Sequence, residues 1–344
     1  MAKVTIFDVA DRAGVSIKTV SRVVNREPNV REATRERVEQ AIADLKYQPD
    51  QSARNLASHR SHLIGLLYDD PDAYEMPSGG YILDLQQGAL KACAESLSQL
   101  LIHPCNFRDK DVAERLKSMI EQTRLAGIIL AAPLSNMPNV VQAIEGTGTP
   151  FVSLSPGNGG NKIPSVTTND REVCAEMTRY LAELGHTRIA FITGDPDHLA
   201  VGNRFMGYQD GLAASGLEFS EALVAAGDNS FDSGQACAEK LLRQRPRPTA
   251  IFAANDDMAA GALRVANRMS IEVPQKLSIA GFDDIPLARQ VEPALTSIRQ
   301  PLVRMAERAT KMLLSGDEDP IADHAGNCIP AEIHIRESTG PAPK

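Results

Sequence analysis

Six short loops of this chain carry acidic, amide and hydroxyl side chains, which are the groups that a site for a polyhydroxylated small molecule requires. Each hydroxyl of such a ligand both donates and accepts hydrogen bonds, so a mixed set of polar groups is required. A single Asp in any of these loops is equally well explained as a helix N-cap, but six such loops together favour a binding cleft. The loops are Tyr68-Asp-Asp70, Pro133-Leu-Ser-Asn136, Ser155-Pro-Gly157, Gly194-Asp-Pro196, Asn255-Asp-Asp257 and Phe282-Asp-Asp284.

Short apolar runs precede these loops and alternate with amphipathic helices from Leu63 onwards, which is typical of a parallel sheet covered on both faces. Two successive series of such runs predict two Rossmann-like lobes, whose strand ends would place the loops around one cleft. The predicted strands are Leu63–Leu67, Ser98–His103, Gly127–Ala131, Phe151–Leu154, Arg188–Thr193, Ala222–Ala225, Ala250–Ala253, Ser278–Gly281 and Cys328–Arg336. The clearest predicted helices are Tyr81–Leu97, Asp109–Thr123, Arg171–Leu184, Arg204–Ala214, Ser233–Leu242, Asp256–Asn267 and Leu302–Leu314.

A different pattern occupies the amino terminus, where two short helices joined by a turn are predicted. Thr5 and Asp8 have the spacing of a capping box, so that a first helix covers Ile6–Ala13. A second helix covers Ser16–Asn25, and Ser16 accepts from its free amides. A third amphipathic helix, Arg31–Tyr47, supplies Ala33, Val38, Ala41, Ile42 and Leu45 to a small shared core.

The outward face of the second helix is polar and basic, as base edges and phosphates require of a helix-turn-helix. It carries Ile17, Lys18, Ser21, Arg22 and Asn25. The alternatives are a generic helical mini-domain and, for Lys18, a solvated surface charge.

Charge is unevenly distributed in a way that favours nucleic acid binding by the amino-terminal part. The chain carries a net charge of -8, but residues 1–62 hold 11 Lys and Arg against 8 Asp and Glu, and the remainder holds 25 against 36. A basic head on an acidic body predicts salt-dependent DNA binding through the head alone.

Between head and body, Gln48–Arg60 predicts a short separate helix over Gln51–Ser58, because Pro49 disfavours helix before it and Asp50 is a good N-cap. Its only large apolar residue is Leu56, so the helix is marginal in isolation. A wedge that enters between base steps from the minor groove would give Leu56 a function.

These segments resemble the DNA-binding head and hinge of the LacI/GalR (lactose repressor) family. The resemblance rests on residues 5–16, on Thr19-Val-Ser-Arg-Val-Val-Asn25, on Tyr47-Gln-Pro and on Ala53-Arg-Asn-Leu-Ala57. It implies a homodimer on a pseudo-palindromic double-stranded operator, with the second helix in the major groove. It further implies that Ile17, Lys18 and Arg22 read bases, that Thr5, Ser16, Thr19 and Asn25 face phosphates, and that Asn55, Leu56 and Ala57 belong to the hinge element at the minor groove.

The resemblance continues through the body, which would have two lobes of the periplasmic-binding-protein type. It implies that Arg204 reaches the ligand, that Asp283 holds adjacent hydroxyls with it, and that Tyr81 is an aromatic platform. The chain departs from the family at Gly227-Asp-Asn229, since many members place a Trp or Phe after Gly-Asp. It also departs at Ala131 and Ser155, where more strongly polar residues are common. The effector-binding residues expected on these grounds are Asp70, Tyr81, Ser155, Arg204, Asn229, Asn255, Asp256 and Asp283.

The expected domains are a helix-turn-helix head at residues 1–47, a hinge helix and linker at 48–61, and a two-lobed effector-binding and dimerisation domain at 62–344. We expect lobe 1 at about 62–162 plus 292–323 and lobe 2 at about 163–291 plus 324–344. No leucine heptad follows Arg336, so a dimer is expected rather than a tetramer.

We therefore expect a ligand-responsive transcriptional repressor, most simply of carbohydrate genes, with a sugar-like effector. A purine- or nucleoside-responsive repressor and a solute-binding protein of a transport system are the alternatives. Five scattered Cys without a Cys-x-x-Cys pair, and the lack of a charged-then-apolar leader, predict a cytoplasmic protein without disulfides, associated with the nucleoid when bound to its operator. We expect no enzymatic activity, cofactor, metal or membrane contact.

Overall fold

The computed structural model describes residues 4–24, 30–47, 62–71, 73, 79–157, 163–315 and 327–344. The chain divides into two compact units, Met1–Ser61 and His62–Lys344. Four predicted DNA-contacting residues, Asn25, Asn55, Leu56 and Ala57, lie outside the described residues, as does the predicted hinge helix.

The described residues of the first unit form α1 (Ile6–Ala13), α2 (Ile17–Val24) and α3 (Glu32–Leu45), which confirms the three helices predicted there. Asp8 accepts hydrogen bonds from both the backbone amide and the hydroxyl of Thr5, each at 2.7 Å, so the predicted capping box forms in its Asp half. The core of the unit is small and aliphatic. It consists of Val9, Ala10, Ala13, Val20, Val23, Val38 and Ala41.

One residue assigned to this core is placed elsewhere. Ala33 was predicted on the apolar stripe of α3 but is exposed. It lies in the first turn of α3, a full turn before the first buried residue, Val38.

The second unit contains two sheets, the first in the order β2-β1-β3-β4-β5 and the second in the order β11-β10-β9-β8-β6-β7. All neighbouring strands run parallel except β10 and β11. The strands are β1 (Leu63–Asp69), β2 (Gln99–Cys105), β3 (Gly127–Ala131), β4 (Phe151–Leu154), β5 (Ser165–Val166), β6 (Ile189–Thr193), β7 (Val224–Ala226), β8 (Ala250–Ala253), β9 (Ser278–Asp283), β10 (Thr296–Arg299) and β11 (Glu332–His334).

Helices pack on both faces of each sheet, as the continuous apolar strands require. Buried residues of the first sheet form two clusters and those of the second form one. The helices are α4 (Gly80–Glu95), α5 (Val112–Thr123), α6 (Pro138–Glu145), α7 (Asp170–Glu183), α8 (Leu199–Ala214), α9 (Phe231–Leu242), α10 (Asp256–Arg268), α11 (Pro286–Gln290) and α12 (Leu302–Ser315).

The lobe boundaries differ from the expected ones at two strands. Strand β5 was expected in lobe 2 but pairs with β4 of the first sheet, and β10 was expected in lobe 1 but pairs with β9 of the second sheet. Helix α12 then packs on the first sheet through Leu302 and Met305. The chain therefore passes from the second lobe to the first after β10 rather than before it, because β10 pairs with β9 in the second sheet.

The final predicted strand, Cys328–Arg336, is also shorter than expected. Only Glu332–His334 pairs with β10, in antiparallel orientation. Cys328 instead forms an isolated bridge to Thr167, with the amide of Ile329 donating to the carbonyl of Thr167 at 2.9 Å. The segments that cross between the lobes at Thr167 and at Cys328 thus lie side by side. Within the described residues, the longest helices are too short or too polar to cross a membrane.

Candidate functional sites

The outward face of α2 is exposed and polar, as predicted for a base-reading surface. The hydroxyl of Ser16 accepts from the amide of Thr19 at 3.2 Å, so Ser16 caps the helix. Ile17 keeps 41% of its surface exposed, and Lys18 and Arg22 are also exposed, whereas Thr19 and Ser21 are half-buried. An exposed isoleucine at the start of a helix has no packing role, which leaves it available for an apolar contact.

The amino-terminal end of α1 has a different character. The backbone amide and the hydroxyl of Thr5 both donate to the carboxylate of Asp8. These two hydrogen bonds hold the pKa of Asp8 below its usual value. A carboxylate thus occupies the end of α1 next to the predicted phosphate contact at Thr5. Phe7, which the sequence did not single out, lies on α1 with 63% of its surface exposed.

A cleft with a volume of about 250 Å³ lies between the two sheets of the second unit, at the carboxyl ends of their parallel strands. This is the position where open α/β sheets bind ligands. The polar lining comes from both lobes. It comprises Asp69, Tyr81, Asp195, His198, Arg204, Asp228, Asn229, Asn255, Asp257 and Asp283, with Phe107, Ala132, Pro133, Val201 and Ile285 among the apolar lining residues.

Arg204 is buried in the wall of the cleft with 5% of its surface exposed. Its Nε donates to Asp170 at 3.4 Å, and its Nη1 donates to the carbonyl of Ala254 at 2.6 Å and lies 3.9 Å from Oδ1 of Asp283. The guanidinium also stacks 3.8 Å above the ring of Phe282. These contacts fix the orientation of Arg204 before any ligand arrives.

Asp283 ends β9 with a φ of 106°, a backbone conformation that turns its side chain out of the strand. The Nε2 of Gln300 donates to its Oδ1 at 2.5 Å. Burial raises the pKa of Asp283 to about 7, although Arg204 and Gln300 both act to lower it. Asp283 is therefore partly protonated near neutral pH, so a ligand that hydrogen-bonds to it shifts its ionisation.

Asn255 and Asn229 form a connected pair of amides at the second-lobe wall. The side chain of Asn255 caps α10 by accepting from the amide of Met258 at 2.9 Å, and its Nδ2 donates to the carbonyl of Asn229 at 2.8 Å. Asn229 has a φ of 72° and approaches Gly194 so closely that a Cβ there would lie 2.0 Å from its Oδ1. The position of Asn229 thus depends on glycine at residue 194.

Tyr81, Arg204, Asn229, Asn255 and Asp283 are the predicted effector residues that line the cleft, whereas three others do not. Asp256 is fully buried, because its carboxylate accepts from the amide of Ile285 at 3.0 Å and from the hydroxyl of Ser297 at 2.6 Å. Its role is structural, since it connects α10 to the loop after β9.

Asp70 and Ser155 are also placed away from the cleft. Asp70 lines a separate cavity beside His103 and Cys105 at the edge of the first sheet. Ser155 is buried with a φ of 48°, and its amide donates to the carbonyl of Val166 at 3.0 Å, so it continues the end of β4. Both corrections have the same cause, since side-chain direction at a strand end changes with each residue.

The sequence did not single out Asp69, Phe107, Asp195, His198, Asp228 and Asp257 as effector residues. Asp69, Asp195 and Asp257 belong to the polar loops that the sequence predicts around the cleft. For Asp69 and Asp257 the predicted effector residue is the adjacent aspartate, whereas no residue of the Asp195 loop is predicted. The carboxylate of Asp69 accepts from the amide of Phe107 at 2.9 Å, and burial raises its pKa to about 6. Burial lowers the pKa of His198 to about 4, so this imidazole is neutral at physiological pH.

Family models match the described parts of both units. The family described as "Bacterial regulatory proteins, lacI family" matches residues 5–50, and "Periplasmic binding protein-like domain" matches residues 178–339. Catabolite control protein A of Priestia megaterium is 32% identical over 337 residues, 98% of this chain and 99% of that protein. The HTH-type transcriptional repressor PurR of Erwinia tasmaniensis is 34% identical over 314 residues, 90% of this chain and 89% of that protein.

Solved structures with the same fold include regulators in complex with their ligands. A complex of the transcriptional regulator CelR with cellobiose matches with a TM-score of 0.72 and 29% identity, covering 98% of this chain and all of that one. A lac repressor dimer bound to operator and the anti-inducer ONPF matches with a TM-score of 0.79 and 25% identity over the same shares. By sequence and by fold, the chain belongs to the LacI family of DNA-binding bacterial transcription regulators.

Proposed function

We propose that this regulator binds a sugar-like effector in the cleft and that the bound effector changes its affinity for operator DNA. The observation that carries the proposal is Arg204, which is buried between Asp170 and Asp283 and held in a fixed orientation at the junction of cleft and core. A fixed guanidinium beside a carboxylate and two amides supplies the donors and acceptors that adjacent hydroxyls require. The relative CelR was solved with cellobiose, which is consistent with this chemistry.

In the DNA-binding unit, we propose that Ile17, Lys18 and Arg22 contact base edges and that Thr5, Ser16, Thr19 and Asn25 face phosphates. Ser21 lies on the same DNA-binding face. Residues 48–61 would form a hinge that places Asn55, Leu56 and Ala57 at the minor groove when two copies lie side by side on a pseudo-palindromic operator. The lac repressor, solved as a dimer on its operator, supports a homodimer. We propose the domain division 1–47, 48–61 and 62–344, a cytoplasmic location and no enzymatic activity.

The effector would act by its differential affinity for two arrangements of the lobes, since a ligand shifts an equilibrium only by that difference. Within the described residues the chain crosses between the lobes near Thr167, Gln300 and Cys328, and the crossings at Thr167 and Cys328 lie side by side, which suits a hinge. Closing the cleft would change the spacing of the first lobes in the dimer and so the spacing of the two DNA-binding heads.

The test begins with selection of an operator from a random duplex library, followed by fluorescence anisotropy with and without a panel of sugars. We expect one or more sugars to change operator affinity in the wild type and to have no effect on Arg204→Lys, whose DNA binding persists. Leu56→Ala should weaken binding to the operator while largely sparing binding to random duplex. A sugar response that survives in Arg204→Lys would contradict the cleft assignment, and equal loss of both DNA affinities would contradict the hinge wedge.

A purine or nucleoside effector is the second candidate, supported by the 34% identity to PurR and by Phe107 and Tyr81 in the cleft lining, whose rings offer faces for a base. The same anisotropy assay with hypoxanthine, guanine and adenosine separates the candidates. A response to a nucleobase and to none of the sugars would select the second.

A further inference from the structure

The cleft contains many more acidic than basic groups. Five carboxylates line it, those of Asp69, Asp195, Asp228, Asp257 and Asp283, against the single guanidinium of Arg204. His198 adds no positive charge, because burial lowers the pKa of its imidazole to about 4. The described lining is therefore strongly negative when its carboxylates are ionised.

The nearby cations already have partners. Arg204 is engaged by Asp170, Ala254 and Asp283. Arg108, at the rim, donates to Asp195 at 2.5 Å and lies 3.8 Å from Asp197. Within the part of the chain that the structure describes, Arg204 is therefore the one basic side chain lining the cleft besides the neutral His198, and Asp170 and Asp283 offset its charge.

The positive end of the helix dipole at the cleft is occupied as well. Helix α10 begins at the cleft wall, but its first turn carries Asp256 and Asp257, and the amide of Met258 already donates to Asn255. A phosphate at this helix terminus would face the carboxylate of Asp257 in the cleft and would lie near that of Asp256 behind it, so the usual anion-binding property of such a terminus is cancelled.

Two carboxylates on opposite walls retain free acceptor oxygens. Asp257, in the second lobe, accepts no hydrogen bond from any residue that the structure describes, and burial raises its pKa. Asp69, in the first lobe, accepts one hydrogen bond at Oδ1, from the amide of Phe107. A ligand between them is presented with acceptors from both lobes, which hydroxyl or ammonium groups satisfy and anionic groups do not.

We propose that the effector is a polyhydroxylated molecule without a phosphate, carboxylate or sulfate group, and that Asp69 and Asp257 determine this selection. This inference rests on the proposed function of the cleft and specifies its ligand class. The hydroxyl or ammonium groups of the ligand donate to Asp69 from one side and to Asp257 from the other. A phosphorylated or oxidised form of the same sugar is repelled, since juxtaposed like charges weaken binding.

The test is isothermal titration calorimetry of the full-length protein with matched sets of sugars. The sets are glucose, glucosamine and glucose 6-phosphate; ribose and ribose 5-phosphate; and galactose and galacturonate. We expect the bound set to show an affinity at least about tenfold higher for its neutral or amino member than for its anionic member. Asp69→Asn and Asp257→Asn should each narrow this ratio by roughly threefold, because each removes one source of repulsion.

Asp70→Asn is the matched control, because it removes the same charge one residue from Asp69 but outside the cleft, and it should leave the ratio unchanged. An anionic member that binds more tightly than its neutral parent in the wild type would overturn the inference, as would an unchanged ratio in both cleft variants. If none of the sugars bound, the proposal of a sugar-like effector would be contradicted, and the inference about its charge with it. Operator binding, measured separately, distinguishes this last result from an inactive preparation.

Discussion

Arg108 of the first lobe and Asp195 of the second form an ion pair 2.5 Å long across the rim of the cleft. Arg108 follows β2 and Asp195 follows β6, so the pair joins loops that belong to different sheets. Arg108 also lies over the ring of Phe107, with 4.6 Å between its guanidinium carbon and the ring centroid. Any motion that opens the cleft must break or lengthen this contact, which makes it a measure of lobe closure.

Replacing Arg108 by alanine should weaken effector binding without unfolding the protein. The side chain is 60% exposed, and exposed ion pairs contribute about 0.2–1 kcal/mol, so an increase of up to roughly fivefold in the effector Kd is expected. Calorimetric titration measures it. Arg115→Ala, which removes an exposed arginine paired with Asp109 within the first lobe, is the control and should leave the Kd unchanged. Equal effects of the two variants would show that the rim pair does not report closure.

The stability of the ligand-free protein should fall as the pH rises from about 4 to 7. Burial raises the pKa of Asp283 to about 7 and that of Asp69 to about 6. Each group thus contributes stability that is complete below its unfolded pKa and is lost as the pH rises through its folded pKa. Asp283→Asn should flatten this decline by up to a few kcal/mol, as measured by urea denaturation across the pH range. If the free energy of unfolding of Asp283→Asn fell with pH as steeply as that of the wild type, a group other than Asp283 would be responsible for the decline.

Effector affinity should follow the opposite trend. A hydroxyl donates to a carboxylate only where the oxygen is not protonated, so deprotonation of Asp283 and Asp69 favours binding of a sugar. The affinity should therefore rise between about pH 5.5 and 7.5, by up to about tenfold per pH unit for each group that is below its pKa and must release its proton, because one pKa unit corresponds to 1.36 kcal/mol. Titration calorimetry in buffers of different ionisation enthalpy detects the released protons directly.

Arg22→Ala should reduce affinity for the selected operator by roughly 1–3 kcal/mol while affecting random duplex less, because a bidentate contact to guanine discriminates by that amount. Arg12→Ala is the matched control. Arg12 is likewise exposed, lies on α1 outside the predicted base-reading face and pairs with Asp44 at 3.0 Å, so its loss should affect neither specificity nor folding by more than about 1 kcal/mol. Anisotropy with both duplexes at several salt concentrations gives the comparison. A uniform loss on both duplexes would assign Arg22 to phosphate rather than to base.

Two glycines of α8 should respond in opposite directions to alanine. A Cβ on Gly207 would lie 2.2 Å from the carbonyl oxygen of Arg171 and 2.7 Å from Cβ of Cys174, so the substitution forces α7 and α8 apart and should cost about 1–3 kcal/mol. A Cβ on Gly202 meets nothing within 4 Å, so alanine there should stabilise the helix by about 0.5–1 kcal/mol. Thermal or urea denaturation distinguishes them. Similar destabilisation by both variants would contradict the close packing assigned to Gly207.

The local elements of this protein could be predicted from sequence because their determinants are local. Capping at Thr5 and Ser16, the turn at Gly14 and the spacing of Val9, Val20 and Val38 are sufficient to predict the three helices of the first unit. Apolar runs alternating with amphipathic segments likewise predict the strands and helices of the second unit. The position of the cleft also followed, since the carboxyl ends of parallel strands meet at one edge of each sheet.

Which side chains enter the cleft was decided only by the tertiary structure. In each Asp-Asp pair at a strand end, one carboxylate lines the cleft and its neighbour does not: Asp69 rather than Asp70, Asp257 rather than Asp256, and Asp283 rather than Asp284. Successive side chains of a strand point to opposite faces, and residues with left-handed backbone, such as Asp283 and Asp284, redirect the chain again. The sequence alone thus determined the elements and the edge where the ligand binds. The choice between adjacent carboxylates, and the lobe to which β10 belongs, depend on where each strand ends against its neighbours, which is set by long-range pairing and packing.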